Sequence, residues 1–218
     1  MKKFFTIIAF VMLGGFSAYA GGDFDQEYLF NWDDIEHGGF GAFVMKYTPI
    51  NGTPSLMVGG RGGWIINHTL SIGGGGYAQV VGNKESDYNH PWTGAHPTLM
   101  MSQFGLELEY TLASQKGIHA TVLFHVGGGS LSYEWIDFDN FDYNGHDYYD
   151  DDNLGHDFFF QMEPSVNVEL NVTKWFRLNA GIGYRFVSGV NYKFNGEEFK
   201  NSDISGITGN LQFKFGSF

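Results

Sequence analysis

From residue 158 to residue 172 the chain alternates without a break. Phe158, Phe160, Met162, Pro164, Val166, Val168, Leu170 and Val172 fall on one face, and Phe159, Gln161, Glu163, Ser165, Asn167, Glu169 and Asn171 on the other. A period of two makes a β-strand with two unlike faces. The pattern recurs in Phe104, Leu106, Leu108, Tyr110 and Leu112, and in Phe176, Leu178, Ala180, Ile182, Tyr184 and Phe186. Neither row carries a charge. Apolar outside against lipid and polar inside is the pattern of a transmembrane β-barrel. A soluble secreted β-sandwich is the alternative, but it predicts polar or charged outer faces.

Eight strands are predicted, over 39–48, 55–66, 69–81, 98–112, 117–135, 157–172, 175–194 and 198–218. The connections Asn67-His68, Ser114-Gln115-Lys116 and Thr173-Lys174 are tight, while 82–97 and 136–156 are long. The first and last connections read as hairpins with tips at Asn51-Gly52 and Asn195-Gly196, because both residues of Asn-Gly tolerate positive φ. An outer-membrane barrel has short periplasmic turns and longer outer loops, and the three tight turns fall in the three periplasmic slots. The expected fold is all-β: an eight-stranded antiparallel up-and-down transmembrane β-barrel. Trp64, Tyr110 and Trp175 flank the tight turns, with Tyr47, Tyr133 and Trp135 near the opposite ends, as interface aromatics do.

The N-terminus changes the compartment. Lys2 and Lys3, the apolar run 4–13 and Ala18-Tyr19-Ala20 read as a signal peptide over 1–20. An acidic leader over 21–38 follows, with Tyr28, Phe30 and Trp32 as candidates for ordering it in the periplasm, and the barrel occupies 39–218. The absence of cysteine excludes a disulfide framework, a thiol nucleophile and a lipidated cysteine. A formal charge of −12 argues against nucleic acid as a partner. Aromatics at 18% and the 32 glycines suit girdles and bending strands.

Two stretches carry a family resemblance: Trp175-Phe176-Arg177-Leu178-Asn179-Ala180-Gly181-Ile182-Gly183-Tyr184-Arg185-Phe186 and the closing Leu211-Gln212-Phe213-Lys214-Phe215-Gly216-Ser217-Phe218. With the strand pattern of nearly the whole mature chain, they resemble the small eight-stranded outer-membrane β-barrels of the OmpA/OmpX type. The resemblance implies a bacterial outer-membrane location. Lipid, lipopolysaccharide and the barrel-assembly machinery become the expected partners, the terminal Phe resembling the signal that machinery reads. Phe218 is out of phase with the outward Leu211, Phe213 and Phe215, so a bulge must correct the phase or the signal is imperfect.

Parity assigns the inward charges. They are Lys46, Arg61, Glu107, Glu109, Glu163, Glu169, Arg177, Arg185 and Lys214, with His119 and His125 where a bulge at Gly127-Gly128-Gly129 would alter the phase. Eight strands leave a lumen that side chains just fill. An unpaired buried charge costs several kcal/mol, so the expectation is a paired network acting as a polar core. A narrow or gated path for small solutes is the alternative. A turn centred on Asn67-His68 would set Gly60 opposite Gly75 and Gly62 opposite Gly73, making room inside for Arg177 or Arg185 and a shallow groove outside.

The long connection 136–156 carries Asp137, Asp139, Asp142, Asp147, Asp150, Asp151 and Asp152 among Phe138, Phe141, Tyr143, His146, Tyr148, Tyr149 and His156. It reads as a solvated acidic loop or as a site for Ca²⁺ or another divalent cation bridging to lipopolysaccharide phosphates. No other cofactor is expected. The tyrosines suit contact with an extracellular protein or glycan. His90 and His96 in the loop 82–97 are weaker metal candidates. The leading function is thus non-enzymatic, structural or surface-binding. Transport is second. A lipid A-modifying enzyme is third, because its nearest His–hydroxyl match, His119-Ala120-Thr121, points inward beside a periplasmic turn.

Overall fold

The computed structural model describes residues 35–82, 97–134 and 155–218. In chain order the elements are β1 (His37–Ile50), β2 (Thr53–Ile66), β3 (Leu70–Val81), β4 (Thr98–Leu112), β5 (Ile118–Glu134), β6 (His156–Asn171) and β7 (Phe176–Ser188). A two-stranded ribbon follows, β8 (Lys193–Phe194) and β9 (Glu197–Glu198), then a single helical turn α1 (Asn201–Ile204) and β10 (Gly206–Ser217). Strands β1 to β7 and β10 form a closed antiparallel barrel in which each pairs with its chain neighbour and β10 returns to β1. The first strand starts earlier than the sequence suggested, since His37 and Gly38 already pair in β1.

Closure follows from the medium. A strand edge in lipid would leave a row of unmatched N–H and C=O groups, and joining β10 to β1 removes both edges. Hydrogen-bonded partners followed once round the barrel climb as they go: His37, Ile66, Leu70, Tyr110, Val122, Val166, Ile182, Gly209 and then Tyr47, ten residues further along β1. That stagger means the strands are tilted. Pro164, which has no N–H, lies where the β6–β7 ladder skips from Met162 to Ser165.

The alternation read from the sequence is the alternation of burial. Leu106 is 71% exposed and Ile182 65%, while Glu107 between the β4 apolar residues is 3% exposed. Trp64, Tyr110 and Trp175 face outward near the tight-turn end, and Tyr47 near the other. Tyr133 departs from its expected interface position. It keeps lumen parity and lies buried against Tyr192, Phe194 and Phe199. Trp135 lies outside the described residues.

Two further expectations are corrected, the last hairpin and the glycine register, and two open alternatives are decided, at Gly127–Gly129 and at Phe218. The seventh and eighth strands do not run through 188–206 as a simple hairpin. Gly189 takes φ +101° and turns the chain off the wall, although Asn195-Gly196 is the tip of the β8–β9 ribbon with φ +47° and +81°. The glycine register is shifted by one, because the β2–β3 turn has three residues, Asn67 to Thr69, between the paired Ile66 and Leu70. Gly60 therefore faces Gly76, Gly62 faces Gly74 and Arg61 faces Gly75. No bulge forms at Gly127–Gly129, where both ladders keep their register, so His119 and His125 stay inward. Phe218 also keeps lumen parity, since no bulge interrupts the β10 ladders.

The interior is layered. Charged and amide side chains fill the half nearer the tight turns. The outer end is apolar, built from Ile50, Met57, Leu99, Met101, Leu131 and Phe159 on the strands and capped by Tyr192, Phe199 and Ile204 from the β7–β10 connection. Period two marks which residues face in. It does not show that the outer ends of the strands enclose an ordinary apolar core.

A charge on the lipid face should be costly in proportion to depth. Leu106→Lys, at mid-strand, is expected to reduce unfolding free energy in lipid vesicles by about 2–4 kcal/mol, measured by denaturant titration.

Candidate functional site

The lumen gathers all nine charged residues assigned to it by parity, and each is buried. At the level of β1 and β6, Lys46 reaches Glu163 at 3.0 Å, and the Thr208 hydroxyl donates to the same carboxylate at 3.0 Å. The Lys46 ammonium also lies 4.1 Å from the centre of the Tyr77 ring. The Tyr77 hydroxyl donates to Glu107 at 2.6 Å, and His125 Nδ1 lies 3.0 Å from that same oxygen. Arg61 pairs through Nε with Glu107 and through Nη1 with Glu109 at 2.8 Å, and donates to Gln212 at 2.9 Å.

The chain of pairs continues toward the tight turns. Lys214 bridges Glu109 at 2.6 Å and Glu169 at 2.5 Å. Glu169 also receives Arg177 at 3.0 Å and Asn179 at 3.2 Å, with His119 Nε2 at 3.1 Å. Arg177 lies 4.0 Å from the Phe218 ring, which sits across the periplasmic mouth. The out-of-phase terminal Phe thus stacks on a lumen cation instead of joining the outer belt.

Arg185 differs from the rest. Among the described residues no carboxylate lies within ion-pair distance of it. Its Nε and Nη2 donate to the Ile204 carbonyl at 2.9 and 2.6 Å, and Nη1 meets the Met57 sulfur at 3.8 Å. The expected membership of Arg185 in the ion-pair network is corrected. Four carboxylates face five cations, and the fifth cation ties down the end of α1. Asn51 N–H to Asp203 O at 2.7 Å and Val187 N–H to Ser205 Oγ at 3.0 Å hold the same segment. The Tyr192 hydroxyl, whose pKa burial raises, donates to Gly155 O at 3.2 Å and accepts from Tyr133 N–H at 3.1 Å.

Glycines make space for this packing. Arg61, Gly75, Gly105, Gly127 and Gln161 form one inward row across five strands. A Cβ on Gly75 would stand 2.7 Å from both Glu107 Oε1 and the Tyr77 hydroxyl, and one on Gly105 2.8 Å from His125 Nε2. The inward glycines therefore admit Arg61, Glu107, Tyr77 and His125, and not Arg177 or Arg185 as the misplaced register implied. On the other face Gly41, Gly62 and Gly74 form a lipid-side row.

The lumen offers little access. One cavity between Glu109, Glu169, Arg177 and Lys214 holds about 10 Å³, room for a single water. Below it an open vestibule of about 400 Å³ is lined by Asn171, Thr173, Lys174, Arg177 and Phe218. A closed barrel with an uncharged belt and a charged interior satisfies what lipid demands of a spanning sheet. The chain folds as a small eight-stranded transmembrane β-barrel. No helix among the described residues is long and apolar enough to cross a membrane.

Comparison adds structures, not relatives. No protein-family model matches the chain, and no curated protein matches it. Among solved structures the barrel is similar to Neisserial surface protein A, with 12% identity over 84% of this chain and 96% of that one, at a TM-score of 0.47. It is similar also to the attachment invasion locus protein Ail of Yersinia pestis, at 8% identity over 83% and 97%, TM-score 0.45. The outer membrane protein OprG of Pseudomonas aeruginosa gives 8% identity over 83% and 95%, TM-score 0.43.

Asp137, Asp139, Asp142, Asp147, Asp150, Asp151 and Asp152 lie outside the described residues, as do His90 and His96. Among the described residues no group of three His, Asp or Glu side chains could hold a metal. Thr121 accepts from Asn167 at 3.2 Å and Asn179 at 3.4 Å, and His119 faces Glu169 and the Lys116 carbonyl, so these two side chains are engaged apart. Parity on charges alone missed Tyr77, Asn179, Thr208 and Gln212, which sit on the same inward positions and supply neutral partners.

Removing the bridging cation should be severe. Lys214→Met leaves Glu109 and Glu169 sharing a buried site with one cation fewer. The expected loss is about 3–5 kcal/mol, measured as unfolding free energy. Lys193→Met, which removes the exposed pair with Glu198, should change stability by less than ~1 kcal/mol. Gly75→Ala crowds Glu107 and Tyr77 and should cost about 1–3 kcal/mol by the same measurement.

Proposed function

We propose that this barrel is a non-enzymatic, non-conducting membrane anchor that presents its outer loops to an extracellular protein, glycan or lipopolysaccharide. The observation that carries the reading is the filling of the lumen. From Phe218 at the periplasmic mouth to Ile204 at the outer end, side chains fill the lumen; four of its five cations meet carboxylates and Arg185 holds a backbone carbonyl, which leaves no charged channel wall. A closed interior leaves the loops as the surfaces able to meet a partner. The loop over 136–156 carries the acidic and aromatic residues suited to that contact, and Ca²⁺ or another divalent cation would offset its carboxylates. Catalysis is disfavoured because the candidate acid–base groups face one another with no room for a substrate.

Refolded protein in a planar bilayer should show no discrete conductance steps at neutral pH. Steps that change with Glu107→Gln would show that the lumen charges line a path and would put transport first. Replacing 137–152 by a glycine–serine linker should leave the unfolding midpoint within error and abolish Ca²⁺ binding by calorimetry. Unaltered binding would remove the loop from the reading.

A further inference from the structure

On several strands the inward residues pass from charged to apolar through one neutral polar residue. The order is Lys46, Thr48, Ile50 on β1, and Glu163, Gln161, Phe159 on β6. On β4 it is Glu107, then Gly105, Gln103 and Met101, and on β3 Gln79 follows Tyr77. Gln79 pairs with Met57, Gln103 with Tyr77 and Gly129, and Gln161 with Gly127, so the three lie on successive rungs; because the rungs climb ten residues once round the barrel, these positions stand at about one height along its axis. The barrel thus has a belt of Thr48, Gln79, Gln103 and Gln161 between its ion pairs and its apolar cap.

Among the described residues, most of the buried polar atoms without a protein partner lie in this belt; apart from the mutually paired Arg61 Nε and Glu107 Oε2, the others are Asn171 Oδ1 and Asn179 Oδ1 nearer the tight turns. Thr48 Oγ1, Gln79 Oε1, Gln161 Oε1 and both amide atoms of Gln103 are buried with no hydrogen-bond partner in the protein. Gln103 as a whole is 1% exposed. The remaining polar atoms of the belt are engaged: Gln161 Nε2 with His125 at 3.1 Å, and Gln79 Nε2 with Ser55 and the Gly82 carbonyl. Buried polar atoms are almost always paired, and leaving one unpaired costs about what a hydrogen bond is worth. Five at one level are too many to be scattered exceptions. Between Gln103 and Gln161, β5 presents Gly127 and Gly129, and the Phe159 ring takes the place that a Gly129 side chain would fill.

We propose that this belt is a built site for water: a layer of at least two ordered molecules bridging Thr48, Gln79, Gln103 and Gln161, enclosed between the charge ladder and the apolar cap. Four of the five unmatched atoms are acceptors, and two waters supply four O–H donors. A metal cation would also satisfy acceptors, but Lys46 and Arg185 on neighbouring inward positions repel one. Water needs two to four polar partners to be held in a protein interior, and the belt provides them. The ladder Tyr77–Glu107–His125–Gln161 thereby continues one layer further out than its side chains reach. The proposal does not depend on what the outer loops bind.

The test uses the intact refolded protein in micelles with labelled glutamine side chains. Magnetisation transfer from water should reach the Gln103 and Gln161 amide protons with the sign of tightly held water, and not the exposed Gln115 amide with that sign. Absence of transfer to Gln103 would overturn the proposal. Stability supplies a second, opposite-signed readout. Gln103→Met strips the waters of a partner and should lower the denaturant midpoint. If the belt is dry, the same change removes an unmatched amide and the midpoint rises, which would also overturn the proposal.

Discussion

Lipid offers the backbone no hydrogen-bond partner, and the rest of this molecule follows from that. Each strand must be paired on both sides, so β10 must find β1, and the sheet must close. Eight strands close around a lumen only wide enough for side chains. Polar residues that the outer face cannot carry are forced into this space. Charge is then buried of necessity, and it persists because Lys46, Arg61, Lys214 and Arg177 each meet a carboxylate at close range.

The interior solves two problems with two chemistries. In the half nearer the periplasm, ion pairs and amides satisfy one another, and glycines at 75, 105 and 127 trade side chains for the volume that Arg61, Tyr77 and His125 need. Toward the outside, the β7–β10 connection brings Tyr192, Phe199 and Ile204 in over the lumen, where they pack as the core of a soluble protein would. Arg185 joins the halves. It lies on the polar side of the boundary and holds the carbonyl at the end of α1, so the surplus cation of the lumen anchors the cap.

Much of this was legible in the chain. Alternation in 104–112, 158–172 and 176–186 identified strands and faces. Connection lengths identified topology, and parity alone assigned all nine lumen charges to the interior. Period two is set by the backbone itself and survives any tertiary arrangement. The same parity already held Tyr133 and Phe218 inward. Reading Tyr133 as an interface residue gave its chemistry more weight than its phase, whereas the phase of Phe218 was read as it stands.

Partner choice was not legible, because it depends on register and on segments that leave the wall. One residue in the turn at 67–69 moved every glycine of β2 against β3 and changed which side chains the hollow admits. Gly189 turned an apparently continuous strand into a cap, and only that fold-over gave Arg185 a carbonyl in place of a carboxylate. The amino-acid sequence by itself determined a spanning barrel with a charged lumen, since periodicity and charge are local properties. Which charges pair, where the lumen turns apolar and what closes it were decided by the tertiary structure, since these depend on strands distant in the chain meeting at one level.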